Sequence, residues 1–251
     1  FRDVHGQLGL EDARRLMGAL WDAGTEKLNF AGGEPTLHPH IGELIHGAKQ
    51  LGLVTSIVTN GARLDRLLDR HAPDLDWVGL SVDSAREDVE VALGRSRGAY
   101  VERSVALADR ARSAGVRVKL NTVVTRLSWD EDMSHLVRRI RPERWKVFQV
   151  LPIAGQNDGS VEPLLITNDE FRSFVDRHAG LASEGLAPIV EDNDAMKGSY
   201  VMVDPLGRFY GNASGRHVYS DPILDVGVES ALAQVGFSIA KFDARGGRYS
   251  W

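Results

Sequence analysis

The chain has 251 residues, 43% hydrophobic and 26% charged, and its 30 Lys+Arg against 35 Asp+Glu leave a net charge of −5. That composition suits a soluble globular domain rather than a nucleic-acid-coating protein, and the apolar runs are strand-sized, too short to span a bilayer. Zero cysteines exclude a disulfide framework, a thiolate zinc site, a cysteine nucleophile and an iron–sulfur cluster held by these residues themselves.

In chain order, the periodicity predicts a helix near 10–23 leading into a strand at 27–31, and a helix at about 41–52 leading into VTSIVTN, 54–60. A helical stretch at 63–72 precedes the strand WVGLSVD, 77–83, and another at about 100–114 precedes VRVKLNTVV. Residues 130–140 read as helix before WKVFQVLPI. Strand starts recur every 23 to 39 residues, the βα rhythm of an α/β parallel sheet or barrel. Beyond residue 155 the rhythm is expected to stop: a helix at about 168–183 precedes SYVMVDPLGRFYGN, whose Asp-Pro-Leu-Gly centre predicts a hairpin. One domain is expected, with a barrel core over 1–155 and an irregular C-terminal part over 156–251 that ends in a tail covering the ligand.

Arg outnumbers Lys 24 to 6, yet Lys27, Lys119 and Lys146 lie inside apolar strand-like runs, and Lys197 immediately precedes another. Lysine in a strand snorkels at an end or finds a partner; several at matching positions favour convergence on an anion. In parallel βα folds, ligands gather beyond the carboxyl ends of strands. There stand Gly32-Gly33-Glu34-Pro35, Thr59-Asn60-Gly61 and Ser81-Val82-Asp83-Ser84. Lys119 with Asn121, and Arg144 with Lys146, are spaced by two and so share strand faces. The expected pocket has two halves. Glu34, Asn60, Ser81 and Asp83 offer acceptors for an ammonium and hydroxyls, while Lys27, Lys119, Arg144 and Lys146 offer charge for a phosphate chain. His5, His38, His40 and the other histidines match no ligand pattern and read as surface residues.

KLNFAGGEP followed by SIVTNG, GLSVDS, LGRSRG, KLNTVV, DEDM, RWKVFQVLPI, MKGSY, ILDVGVE and RGGRYSW resembles the viperin family of radical SAM enzymes over nearly the whole chain. The resemblance implies a partial (β/α)6 TIM-like barrel with an irregular C-terminal extension, a [4Fe–4S] cluster and S-adenosylmethionine (SAM). It further implies that CTP, UTP or GTP is converted into its 3′-deoxy-3′,4′-didehydro analogue, a chain-terminating antiviral nucleotide. A 5′-deoxyadenosyl radical would take hydrogen from C4′, the 3′-hydroxyl would leave as water, and one electron and one proton would complete the product. Flavodoxin or ferredoxin would donate electrons.

Carried over by position, the resemblance gives the methionine ammonium to Gly32, Gly33 and Glu34, and the methionine carboxylate end to Ser81 and Arg95. Thr59 and Asn60 fall near the SAM ribose or adenine, and Lys27, Lys119, Asn121, Arg144 and Lys146 on triphosphate positions. Tyr200 aligns with a suggested late hydrogen donor, and Arg216 stands in for a basic residue of the C-terminal region. Phe1 matches the aromatic residue that follows the family's third cluster cysteine, so the cysteines and a first strand are expected upstream of Phe1. Two other readings stay open: a different radical SAM enzyme, GTP-cyclase-like or peptide-modifying, and a nucleotide-binding module without a cluster. With no membrane-binding amphipathic helix read in this segment, a cytoplasmic setting is expected.

Overall fold

The computed structural model describes residues 6–249; Phe1 and His5, and with them the match to the cluster loop, lie outside the described residues. Helix α1 (Leu10–Asp22) leads into β1 (Lys27–Phe30), α2 (Ile41–Gln50) into β2 (Val54–Thr59), and α3 (Leu64–His71) into β3 (Trp77–Ser81). Helices α4 (Glu87–Ala92) and α5 (Tyr100–Ser113) precede β4 (Arg117–Val124), α6 (Ser134–Ile140) precedes β5 (Arg144–Gln149), and α7 (Asn168–Arg177) precedes β6 (Pro188–Glu191). The six strands pair in sequence order, all parallel. This agrees with the parallel α/β order read from the βα rhythm and with the partial barrel that the resemblance implies.

Register and alternation divide the sheet into two faces. Ile57, Val78, Leu80, Val118, Leu120, Trp145 and Val147 point outward and form one core with helix residues such as Ile45, Leu68, Ala108, Leu136 and Phe174. Trp145 is fully buried and donates its indole N–H to Thr122 Oγ1 at 3.1 Å. The inner face carries Lys27, Trp77, Lys119, Asn121, Arg144, Lys146 and Glu191, residues that alternate with that apolar set. An apolar outer face and a polar inner face mean that the sheet's concavity was not built to be filled by core packing.

Four sequence expectations shift. The rhythm does not stop at residue 155: PIVE, only four residues long, is β6, so the sheet extends to Glu191. The helix expected over 130–140 begins at Ser134, because the Glu131 carboxylate accepts Ser84 Oγ at 2.5 Å and Ala85 N at 2.8 Å and is spent on the loop after β3. The helix expected to reach 183 ends at Arg177, where the His178 ring bonds Phe174 O at 2.7 Å and Met133 N at 2.8 Å. His178 is 1% exposed. It is a structural histidine and corrects the surface reading.

After α8 (Asn193–Met196) the predicted hairpin forms from β7 (Met202–Val203) and β8 (Arg208–Gly211), with β9 (Val218–Pro222) added antiparallel. Asp204 fixes the turn, accepting Leu206 N at 2.9 Å and Arg208 N at 3.0 Å. Helices α9 (Ile223–Val226), α10 (Val228–Leu232) and α11 (Ile239–Ala244) follow. Phe209, Ile223, Ala231 and Val235 pack this small sheet onto Leu16 and Leu20 of α1, a second core.

Candidate active site

At the carboxyl end of β1 the chain turns through Gly32 (φ +87°) and Gly33 (φ +48°). This left-handed backbone suits glycine, and a Cβ at either would meet nothing within 4 Å, so the turn faces open space. Glu34 reaches across to the end of β2. Its Oε1 accepts Thr36 N at 3.0 Å, Thr36 Oγ1 at 2.5 Å and Thr59 Oγ1 at 2.5 Å, and its Oε2 accepts Asn60 N at 2.7 Å. The carboxylate therefore ties two strand ends together, and Oε2 is the oxygen with acceptor capacity to spare for a ligand ammonium. Asn60 Oδ1 is turned back onto Ala62 N at 2.9 Å, so that side chain shapes the loop.

Beyond β3, Arg95 Nε pairs with Asp83, which is 3% exposed, and Tyr100 donates its phenol to Ser81 O. Asp83 was expected to offer acceptors to a ligand; the structure gives both its oxygens to the protein, Oδ1 receiving Val123 N at 2.8 Å. Burial pushes the Asp83 carboxyl up despite Arg95, and burial together with Asp83 pushes Glu90 up to about 7.

Deeper along the inner face, Lys27 Nζ donates to Tyr249 OH at 2.5 Å, and Lys119 Nζ donates to the same oxygen. The Arg144 guanidinium lies 3.6 Å from the Tyr249 ring centroid. Trp77 walls the other side, 5.1 Å from Lys27 Nζ, 4.6 Å from Lys119 Nζ and 4.0 Å from the Arg117 guanidinium. Two ammoniums on one phenol oxygen stand no more than about 5 Å apart, where full charges would repel by about 3 kcal/mol at an effective dielectric of 20. That repulsion favours loss of a proton from the pair. Burial, then Lys27, pulls Lys119 down to about 5; burial pulls Lys27 to about 8. Arg144 Nε is buried without a hydrogen-bond partner.

Lys146 leaves this group. Its Nζ pairs with the fully buried Glu191 and donates to Tyr200 OH at 3.1 Å, while Tyr200 donates to Glu191 Oε2. Arg245 completes the network, 3.3 Å from Glu191 Oε1, 2.9 Å from Ser199 O and 3.8 Å from the Tyr200 ring centroid. Burial first, and Glu191 next, hold the Tyr200 phenol protonated well above its usual range. Asn121 shares a register layer with Ser81 and Lys146, and its amide stands 3.2 Å from where a Cβ on Gly79 would fall, so the glycine makes room for it. Arg216 is exposed, with a backbone bridge to Ala154, and among the described residues its side chain joins none of these contacts.

Sequence reasoning missed Trp77, Glu191, Arg245 and Tyr249. Glu191 could have been found by carrying the βα rhythm one strand further. Tyr249 stood in the noted RGGRYSW, with nothing in spacing to direct it into the barrel.

A family model described as the radical SAM superfamily matches residues 2–140. The chain belongs to the radical SAM superfamily. It is 42% identical to an S-adenosylmethionine-dependent nucleotide dehydratase of Flammeovirga pacifica, over 98% of this chain and 85% of that protein. It is also 42% identical to a protein of the same name from Lacinutrix mariniflava, over 98% of this chain and 52% of the other. The nucleotide dehydratase RSAD2 of Oncorhynchus mykiss is 36% identical over 97% of this chain and 73% of its own length. The chain thus falls in the viperin-like nucleotide dehydratase branch, while spanning only about half the length of the Lacinutrix protein. Among solved structures, native anSMEcpe with bound AdoMet superposes with a TM-score of 0.68 at 15% identity, covering 94% of this chain and 73% of that one. Streptococcus suis SuiB bound to precursor peptide SuiA gives 0.67 at 16% identity, covering 97% and 61%. At those identities the likeness concerns the fold.

The superfamily works with a [4Fe–4S] cluster and SAM. The open glycine turn, the spare Glu34 oxygen and the Arg95 guanidinium match a ligand bearing an ammonium and a carboxylate. The cluster finds no ligands here: the chain has no cysteine, and no group of three His, Asp or Glu among the described residues could hold a metal. Among those residues, too, no helix is long and apolar enough to cross a membrane.

Proposed function

We propose that this chain is the catalytic barrel of a nucleotide dehydratase that converts CTP, UTP or GTP into its 3′-deoxy-3′,4′-didehydro analogue. The observation that carries the reading is one concave face with two chemistries. An end whose chemistry suits an ammonium and a carboxylate lies past β1–β3, and Lys119 and Arg144 of the cationic group stand two residues down the strands from the Ser81 layer, about 7 Å at roughly 3.3 Å each. The dehydratase names of the relatives support it. SAM with its cluster, when bound, supplies the radical that abstracts hydrogen. Electrons come from a donor such as flavodoxin or ferredoxin, and the setting is cytoplasmic.

The chain's own residues do the positioning. Gly32, Gly33 and Glu34 receive the methionine ammonium, Arg95 and Ser81 its carboxylate, and Thr59 and Asn60 border the adenosine. Lys27, Lys119 and Arg144 clamp the phosphates, with Asn121 and Lys146 on the layer above. Fixing the remote triphosphate places ribose C4′, which is how binding energy far from the reacting atom lowers the barrier. Tyr200 keeps its proton on the phenol, between Lys146 and Glu191, and stands beside this layer as the hydrogen donor. Arg216, exposed and outside the network, reaches the nucleotide only if the loop carrying it folds inward.

The test uses the full-length, cluster-loaded protein with SAM, reductant and each of CTP, UTP and GTP. The expected products are 5′-deoxyadenosine and a nucleotide lighter by one water with its triphosphate intact. Deuterium at C4′ should pass into 5′-deoxyadenosine; label arriving from C3′, or a product with a new ring bond, would point to a cyclase instead.

A further inference from the structure

The groups that hold Arg95 and Ser81 are more deeply buried than the residues they hold. Asp83 is 3% exposed and the Arg95 side chain 32%. Asp83 takes Arg95 through Nε, and the described residues give the terminal guanidinium nitrogens no other acceptor. The carboxylate itself is fixed twice over: Oδ1 accepts Val123 N from β4, and its own backbone N–H, with that of Ser84, donates to Glu90 Oε1 at 2.7 and 2.9 Å. Tyr100, 6% exposed at the start of α5, donates to Ser81 O and so sets the strand end from which the Ser81 hydroxyl projects. A guanidinium held by Nε keeps its two terminal nitrogens side by side as a fork, the geometry that matches a carboxylate.

We infer that Asp83 and Tyr100 are positioning residues that aim Arg95 and Ser81 at the carboxylate of SAM. The inference rests on the reading that Arg95 and Ser81 receive that carboxylate. Asp83 acts on the direction of the fork and Tyr100 on the height of the serine; neither touches the ligand. Burying a carboxylate beside a second one, Glu90, gains little for packing. Its gain lies in a guanidinium that cannot swing.

Calorimetric titration of the anaerobically reconstituted full-length protein with SAM and with decarboxylated SAM separates positioning from mere stability. Asp83→Asn keeps an acceptor for Val123 N and removes the charge. It should weaken SAM about tenfold, the loss of one charge-assisted contact, and leave decarboxylated SAM within about twofold. Tyr100→Phe should do the same at about three- to fivefold. Equal weakening of both ligands, or of neither, overturns the inference, and Tyr100→Phe decides alone if Asp83→Asn does not fold. Arg95→Ala tests the underlying reading: if it leaves the preference for SAM over its decarboxylated form intact, the site assignment fails. If Arg95→Ala abolishes that preference and Asp83→Asn does not, only the positioning role fails.

Discussion

At the carboxyl ends of β1–β3 the protein pairs its own charges: Glu34 with Thr36, Thr59 and Asn60, and Arg95 with Asp83. Deeper in the barrel, Lys119 and Arg144 have no carboxylate within ion-pair distance among the described residues; they and Lys27 meet at the phenol of Tyr249. The first end is preorganised and near neutral. The second holds a surplus of positive groups, partly relieved by deprotonation, and gains most from an anion. Two ligands of opposite electrostatic demand can therefore share one cavity without exchanging places.

The largest effect should come at Glu191, in the network beside the cationic group. It is fully buried and balances Lys146 and Arg245, whose side chains are 16% and 7% exposed. Glu191→Ala leaves two buried cations without a counter-charge and should lower stability by about 3–5 kcal/mol, measured by urea unfolding. Inorganic triphosphate should restore part of that loss. If the variant is as stable as the parent, the lower barrel is not short of negative charge and the contrast between the ends collapses.

Next in size is the separation of the ligands. Lys119→Ala removes a charge-assisted contact and should weaken nucleoside triphosphate binding by about 1.5–3 kcal/mol, roughly 10- to 150-fold, with SAM affinity nearly unchanged. Calorimetry with each ligand decides, and comparable losses for both would mean one undivided pocket.

How far this division could be read from sequence follows from which interactions are local. Lys27, Lys119, Asn121, Arg144 and Lys146 were visible because alternation within a strand puts residues two apart on one face, and the strands were long enough to show it. The glycine turn was visible as composition. Glu191 was hidden because its strand is four residues long and begins with proline, giving alternation no room. Tyr249 was hidden for another reason: its partners lie 222 and 130 residues away, and no local pattern encodes such a meeting. The pairing of Lys146 with Glu191 was hidden as well, because that carboxylate arrives from the unseen strand. The role of Asp83 as a partner for Arg95 was invisible because eleven residues of loop and helix lie between them and a carboxylate at a strand end reads equally well as a ligand group.

Proton uptake on binding sharpens the contrast further. Against the ordinary lysine value of 10.5, Lys27 stands at about 8 and Lys119 at about 5, facing Arg117, Arg144, Lys146, Tyr249 and, from before β3, Asp76. Both shifts run downward, so at pH 7 the pair holds less than its full charge, and a triphosphate that charges both should draw in up to about one proton. Titration in buffers of different ionisation enthalpy should show that uptake in the parent and its loss in Lys119→Met, with none for SAM. The stability sign follows from the same shifts. The unfolded lysines hold protons that the folded ones release between pH 5 and 10.5, so the ligand-free protein should lose stability as pH falls through that window. Bound triphosphate should flatten the slope, and an unchanged slope would mean the lysines are charged throughout.

The smallest effect belongs to the preorganised end. Thr59 is 2% exposed and gives its hydroxyl to Glu34 Oε1 at 2.5 Å, while accepting Gly61 N at 2.8 Å. Thr59→Val keeps the shape and removes both bonds, leaving Glu34 held by Thr36 and Asn60. Because Oε1 retains two donors, the carboxylate should loosen rather than swing away, costing SAM affinity about 1 kcal/mol, roughly fivefold. Triphosphate affinity should not move, since nothing in the cationic group touches Thr59. The same calorimetric pair that tests Lys119 reads this variant in reverse: one substitution at each end, each felt by one ligand. A loss of triphosphate binding in Thr59→Val would show that the strand ends and the barrel floor shift together. The two halves would then be one mechanical unit, whatever their difference in charge.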